Sequence, residues 1–140
     1  MNQWPRWQRS APATLVQYVL PTEVAALLHV PGPSRAGPTD RLRAVYEAMA
    51  RAGVTYAHPE ASDFSGRQRI AEPYEVLSSP NQGTCIDLAV VMAAAARHAG
   101  LTTMIVVADA AGPGAPSHAL LCVHVDTEEP WPFDATADPR

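Results

Sequence analysis

A cysteine at the start of an apolar run is the feature of this chain that most directly suggests chemistry. Cys85 follows Gly83 and Thr84 and precedes a long series of apolar residues. The first turn of a helix carries N–H groups without intrahelical acceptors and a partial positive charge, and both favour a thiolate over a thiol. Cys85 is therefore the candidate nucleophile, and the rest of the chain must supply a base.

His118 is the best placed of the five histidines to be that base. It is predicted to open a strand directly after a Gly/Pro-rich loop, which would leave it near solvent. An imidazole within hydrogen-bonding reach can take the thiol proton, and an acid on its other ring nitrogen fixes its orientation. Such an arrangement would activate the sulfur as a nucleophile.

The other histidines are less suitable because of their predicted distances. His98 lies thirteen residues beyond Cys85 on one helix, which separates the two by about 20 Å. His124 lies six residues beyond His118 on one strand, about 20 Å away, so the two histidines could not share one metal ion. His29 and His58 fall in the N-terminal half.

Two aspartates are candidates for the third member of the site. Strands predicted at 118–126 and 131–135 would form a hairpin, and a turn centred on residue 126 sets Asp134 opposite His118. A turn centred on residues 128–129 would instead bring the region of Asp138 opposite. The apolar pattern does not decide between these registers.

The elements that must position these residues suggest an α+β fold. A helix is predicted over 84–99, with Thr84 and Asp87 as a capping box and Gly100 as its end. Its apolar character all round indicates burial. Further predictions are helices at 23–29 and from Thr39 or Asp40 to 52, one helical turn near 74–77, an extended piece at 54–56, and strands at 14–20, 103–108, 118–126 and 131–135. Helices followed by antiparallel strands favour a buried cysteine helix packed on an antiparallel sheet.

Three groups of motifs in this order resemble the transglutaminase-like superfamily. They are the helix Arg41–Ala52 followed by Val54-Thr55-Tyr56; the cysteine region Val76-Leu77, Gly83-Thr84-Cys85-Ile86-Asp87-Leu88-Ala89, Ala99-Gly100-Leu101 and Ile105-Val106-Val107; and Ser117-His118-Ala119-Leu120 with Trp131-Pro132-Phe133-Asp134-Ala135-Thr136. The resemblance covers roughly residues 40–136. It implies a papain-like α+β core with a Cys85, His118 and Asp134 triad, and it favours Asp134 over Asp138.

The same resemblance implies acyl transfer on peptide or amide substrates, either hydrolysis or transamidation. Hydrolysis by water is expected first, since nothing in the chain marks an amine site. The backbone N–H of Cys85 is expected in the oxyanion hole, with Gln82 as a second donor by position. The alternative is a non-catalytic binding or scaffold module of a larger assembly that retains this fold.

Length and composition are consistent with one domain. The chain has 140 residues, 47% of them hydrophobic. We expect an N-terminal arm with lead-in elements (1–38) followed by a core (39–140). A net charge of −4 gives no general reason to bind nucleic acid or an anionic membrane. No CxxC, HxH or HExxH spacing occurs, so neither a metal nor another cofactor is expected.

The N-terminal residues and the absence of long apolar runs in the sequence give expectations about location and partners. No apolar region of a secretory signal follows the first ten residues, and no run approaches the roughly 18 apolar residues of a membrane helix. A cytoplasmic location with Cys85 and Cys122 reduced is therefore expected. Besides a protein or peptide substrate, Trp4 and Trp7 suggest a protein partner for the N-terminal arm, or simply an arm tucked into the core.

Overall fold

The structure is a computed structural model, and it describes residues 7–8, 11–57, 67–108 and 118–125. The elements of these ranges are β1 (Trp7–Gln8), a 3-10 helix (Pro12–Tyr18), α1 (Pro21–Leu28), α2 (Pro38–Arg51), β2 (Thr55–Tyr56), β3 (Arg67–Gln68), α3 (Pro73–Val76), β4 (Gln82–Gly83), α4 (Cys85–His98), β5 (Thr102–Ala108) and β6 (His118–His124). The mixture of helix and strand is consistent with the predicted α+β class. None of the helices in these ranges is both long and apolar enough to cross a bilayer.

Helix α4 begins and ends where the sequence predicts. The hydroxyl of Thr84 accepts a hydrogen bond from the N–H of Asp87, and the Asp87 carboxylate accepts one from the N–H of Thr84, which completes a capping box. After the helix, Gly100 adopts a φ of 84°, a conformation that a residue with a Cβ rarely takes. The Arg41 side chain of α2 donates a 2.8 Å hydrogen bond to the carbonyl of Ala99. Both ends of α4 are therefore fixed by specific contacts.

Two hydrophobic clusters surround α4, which explains its apolar composition. On one side, Val91, Ala94 and Ala95 pack with buried residues of α1, α2 and α3. On the other, Ile86, Ala89 and Val90 pack with the β5–β6 hairpin and with buried side chains of the N-terminal region. A helix enclosed on both sides needs apolar residues around its whole circumference.

Strands β5 and β6 form an antiparallel pair whose register determines which residues face α4. Ala108 pairs with His118 and Thr102 with His124. The residues that pack toward α4 are Ala119 of β6 together with Ile105 and Val107 of β5. Because side chains alternate along a strand, His118 and its neighbours at every second position lie on the other face.

Most of the segment 14–20, predicted as a strand, belongs instead to the 3-10 helix Pro12–Tyr18, so that prediction was wrong. Pro12 stands in its first turn, and Thr14 bonds back to the carbonyl of Ala11 through both its N–H and its hydroxyl. Leu15 and Tyr18, three residues apart, are both buried in the cluster that joins α4 to the hairpin. A spacing of three residues on one face suits a 3-10 helix. Tertiary packing here overrides the β-propensity of the segment.

The start of α2 also differs from the prediction. Gly37 occupies the N-cap position and Pro38 the first turn, so Thr39 and Asp40 lie inside the helix rather than capping it. Proline is well suited to this place because its fixed φ is helical and its missing N–H would have no acceptor there. The helix ends as predicted, with Gly53 at a φ of 68°.

The loop before Cys85 is held by a short parallel pair between β2 and β4. The N–H of Thr55 donates to the carbonyl of Asn81 at 2.9 Å, and the N–H of Ala57 donates to that of Gly83 at 2.8 Å. The Asn81 side chain adds a 2.9 Å hydrogen bond to the carbonyl of Ala52. The end of α2 therefore fixes the position from which α4 starts.

The single turn of α3 is held by Glu75. Its carboxylate accepts hydrogen bonds from the N–H of Glu72 and from the guanidinium of Arg69. Burial by itself raises the pKa of Glu75, but the Glu72 and Arg69 hydrogen bonds and the Arg69 charge outweigh burial and hold it below its ordinary value of 4.5.

We expect Gly83→Ala to destabilise the protein by about 1–3 kcal/mol, because there is no room for a Cβ. A Cβ at this buried position would lie 2.9 Å from the Cβ of Asp87 and 3.3 Å from Cδ2 of Leu88. Urea unfolding measures the loss. Gly32→Ala is the control, since its Cβ would meet only Nε2 of His98 at 3.9 Å. Equal stabilities of the two variants would contradict this packing.

We expect the stabilising effect of Glu75 to disappear in acid. A carboxylate with a lowered folded pKa contributes stability above its unfolded pKa, and the contribution is lost as the pH falls through the folded value. Wild type should therefore be more stable than Glu75→Gln at pH 6, with the difference shrinking below pH 4.5. Arg69→Gln should retain part of this dependence through the Glu72 N–H. Thermal unfolding from pH 3 to 7 tests it, and a difference independent of pH would contradict it.

Candidate functional site

Cys85 is the first residue of α4 and is half-buried. As the first helical residue it has an N–H that no intrahelical carbonyl can accept, and that N–H points out of the helix end. The sulfur packs at the margin of the cluster containing Ile86, Ala89 and Ala119. A partly accessible sulfur beside an N–H that no carbonyl of its own helix accepts is an arrangement suited to nucleophilic attack on a carbonyl.

Asp87 is the buried polar group nearest in sequence to Cys85, and only 6% of its surface is exposed. One carboxylate oxygen accepts hydrogen bonds from the N–H and the hydroxyl of Thr84, both at 3.0 Å. The other oxygen accepts the N–H of Ala71 at 2.8 Å. The sequence predicts the capping role of Asp87, and the structure adds a connection from the cysteine helix to the segment before α3.

Gln82 and Gly83 form β4, directly before the cap of the cysteine helix. The Gln82 residue is exposed and pairs with Thr55 of β2, whereas Gly83 is buried. Gly83 lies next to Val76 of α3, whose Cγ2 would be 3.5 Å from a Cβ at position 83. Gln82 is accessible to a substrate near Cys85, and its role as an oxyanion donor stays a prediction.

His118 is the first residue of β6 and is exposed. Its neighbour Ala119 packs in the same cluster as Ile86 and Ala89, so the start of β6 lies at the same end of the α4–hairpin layer as Cys85. The far end of α4 leads through residues 99–101 into β5, which runs back toward that end. The fold therefore brings Cys85 and His118 to one end of the layer.

The two side chains nevertheless make no hydrogen bond to each other within the described part of the chain. Strand alternation explains this, because Ala119 faces α4 and His118 stands on the other face at the strand end. Catalytic hydrogen bonds are often long or misaligned in a protein without substrate. For His118 to form a hydrogen bond with Cys85, its imidazole would have to rotate from the outer face of β6 toward α4.

The remaining candidates fall into two groups. Asp134, the predicted third member, and Asp138, its alternative, lie outside the described residues, as do His58 and the strand predicted at 131–135. His98 lies in the last turn of α4, as predicted. His124 is the last residue of β6, at the other end of the strand from His118. In the described ranges, no three histidine, cysteine or acidic residues are grouped so that they could hold a metal ion.

Two contributors to this region were not found from the sequence. Arg69 bonds to Glu75 and also lies close enough for the charge of Asp87 to act on it. The second is the burial of Gly83. Trp7, by contrast, is 2% exposed, so its side chain lies in the core, which is one of the two alternatives that the sequence leaves open for the arm. The one signal available was the glycine directly before the helix cap, since glycine marks close approach of other atoms to the backbone.

We expect Asp87→Asn to destabilise the protein by about 2–3 kcal/mol, because an amide can accept on one side only and leaves a buried N–H without its partner. Chemical denaturation measures the loss. Asp40→Asn is the matched control on α2, where Asp40 and Arg43 form an exposed pair whose loss should change little. Similar stabilities for both variants would show that the Asp87 hydrogen bonds are dispensable.

Comparison with known proteins agrees with this arrangement. A sequence model of the transglutaminase-like superfamily matches residues 33–135, about three quarters of the chain. No curated protein and no solved structure gives a significant match. The matched region contains α2, the capped cysteine helix and the β5–β6 hairpin. The resemblance inferred from the Cys85 and His118 motifs is thus confirmed, and the chain belongs to the transglutaminase-like superfamily.

Proposed function

We propose that this protein is a cysteine-dependent acyl-transfer enzyme acting on peptide or amide substrates. The observation that carries the proposal is the position of Cys85, half-buried at the first residue of a capped and enclosed helix. Its family supports this, since transglutaminase-like domains commonly carry cysteine-based acyl transfer. The finer architecture that we propose is the papain-like core, with the cysteine helix against an antiparallel sheet.

The proposed reaction begins when the sulfur of Cys85 loses its proton to His118 and attacks the carbonyl carbon of an amide. The amide π electrons move to oxygen, which the N–H of Cys85 stabilises, with Gln82 as second donor. When the carbonyl re-forms, the C–N bond breaks and the leaving amine takes the proton from His118. A thioester on Cys85 remains.

Water completes the cycle in the proposed hydrolysis. His118 removes a proton from water as the oxygen attacks the thioester, and the C–S bond breaks to release a carboxylic acid. The departing sulfur takes the proton back from His118, which restores the thiol and the neutral imidazole. Asp134 is proposed to hold the imidazole in orientation, with Asp138 as the alternative. An amine in place of water would give transamidation by the same steps. A reducing compartment such as the cytoplasm is the proposed location, because the nucleophile must stay a thiol.

A second candidate function is a binding or scaffold module without catalysis. The observation that favours it is the face on which His118 stands, opposite the one that packs on α4, with no hydrogen bond to Cys85 within the described residues. In that case the thiol would have no base, and α4 would serve only as the core of a recognition domain. The pH dependence of thiol reactivity separates the two functions.

We expect iodoacetamide to alkylate Cys85 rapidly below pH 7 if His118 takes its proton. The measurement is the alkylation rate between pH 5 and 9 by mass spectrometry, with Cys122 as the internal reference thiol. His118→Ala should slow Cys85 at pH 6 by about tenfold or more.

His124→Ala is the control for that experiment, since His124 lies at the opposite end of the same strand. It should leave the rate at Cys85 unchanged. Reaction of Cys85 no faster than Cys122, with no effect of His118→Ala, would exclude the enzyme and leave the binding module.

A further inference from the structure

A groove of about 620 Å³ runs beside β5, away from β6 and between the 3-10 helix and the second half of α4. Its walls combine polar groups with apolar side chains, among them Val16 and Val19 from the N-terminal side and Ile105 and Val107 from β5. Val16 is 59% exposed, so its side chain is accessible to a molecule in the groove. This volume and lining fit a binding groove better than a packing defect.

The strand that borders the groove has one edge without a partner strand in the part of the chain that the structure describes. Among the described residues β5 pairs with β6 alone, and none of the backbone hydrogen bonds formed outside helices and strands involves residues 102–108. In an antiparallel pair every second residue directs its N–H and C=O away from its partner. The β5 sequence has no charge, proline or glycine, the features that usually protect an edge strand from pairing.

Arg97 supplies the charge of the groove. It lies in the last turn of α4, lines the groove with the hydroxyl-bearing Thr102 and Thr103, and is exposed. Within the described residues its guanidinium makes no hydrogen bond or ion pair. A guanidinium beside two hydroxyls favours a carboxylate, which it can bind through two parallel hydrogen bonds.

The distance along α4 relates this charge to Cys85. Arg97 lies twelve residues after Cys85, about 18 Å along the helix axis. The other end of the groove, at Val107, is one residue from Ala108, the partner of His118. An extended peptide rises about 3.3 Å per residue, so five or six residues span the distance from Arg97 to the cysteine end.

We propose that β5 and the groove bind an extended peptide by strand addition. The backbone of the peptide pairs with the open edge of β5, and alternate apolar side chains enter the groove. A carboxylate of the peptide binds Arg97, about five residues from the position next to Cys85. The position of the reacting amide rests on the proposed function, whereas the binding itself does not.

The test uses the full chain carrying Cys85→Ala, so that binding is measured without chemistry and a missing activity cannot obscure it. The probe is a heptapeptide of alternating valine and serine, labelled with fluorescein at its N-terminus, with a free C-terminal carboxylate. Fluorescence anisotropy gives the affinity. Arg97→Gln should weaken binding about two- to fivefold, and the C-terminal amide form of the peptide should bind both proteins alike.

Two controls identify the charge and the groove. Arg51→Gln removes an exposed arginine from the last turn of α2, outside the groove, and should leave binding unchanged. Val16→Ser should weaken binding of both peptide forms, whereas Tyr46→Ser, an exposed apolar site on α2, should not. All four substitutions replace exposed side chains, and circular dichroism verifies that each variant folds.

Methylation of alternate peptide nitrogens tests strand addition directly, since it removes the N–H groups that would pair with β5. It should reduce binding at least tenfold when the methylated nitrogens face β5. Equal affinity for both methylated series and the parent peptide, or no effect of Arg97→Gln, would overturn the proposal. Self-association in sedimentation experiments that Val16→Ser abolishes would overturn it in favour of a second copy of the chain on the same edge.

Discussion

The hydrogen bonds of one buried carboxylate connect the parts of this protein that meet at Cys85. Asp87 accepts from Thr84 on one side and from Ala71 on the other. A buried carboxylate is stable only when such donors compensate for the water it has lost. The position of the cysteine helix and the path of the chain before α3 are therefore set together, and neither can move without breaking these bonds.

The close packing at Gly83 follows from the same arrangement. The Asp87 side chain that bonds to Ala71 lies directly against the chain that enters the helix. Residue 83 therefore has no space for a side chain. The parallel pair of β2 and β4 holds this passage from the other side. The oxyanion position proposed at the N–H of Cys85 is consequently rigid, as electrostatic stabilisation of a transition state requires.

Helix α4 lies between two packed regions of the described chain. One side packs against α1, α2 and α3, and the other against the hairpin that carries His118. Its first residue is the proposed nucleophile, and its last turn brings Arg97 to the groove beside β5. Since a helix is a rigid spacer of 1.5 Å per residue, it would fix the separation between catalysis and substrate recognition.

The sequence by itself determined the elements whose signals are local. The capping pair Thr84 and Asp87, Gly100 and the unbroken apolar run define α4, and the motifs around Cys85 and His118 identify the family. These features could be predicted because a cap, a helix end or an apolar period depends on neighbouring residues only. The strand predicted at 14–20 failed for the complementary reason, since burial of Leu15 and Tyr18 overrides local propensity.

Tertiary structure alone decided how those elements meet. It set the register in which Ala108 pairs with His118, and with it the face on which the imidazole stands. It also brought Ala71 to Asp87 and left the groove between β5 and the 3-10 helix. A one-residue change of register reverses every face of a strand without changing its local pattern, so only packing against α4 selects the observed one.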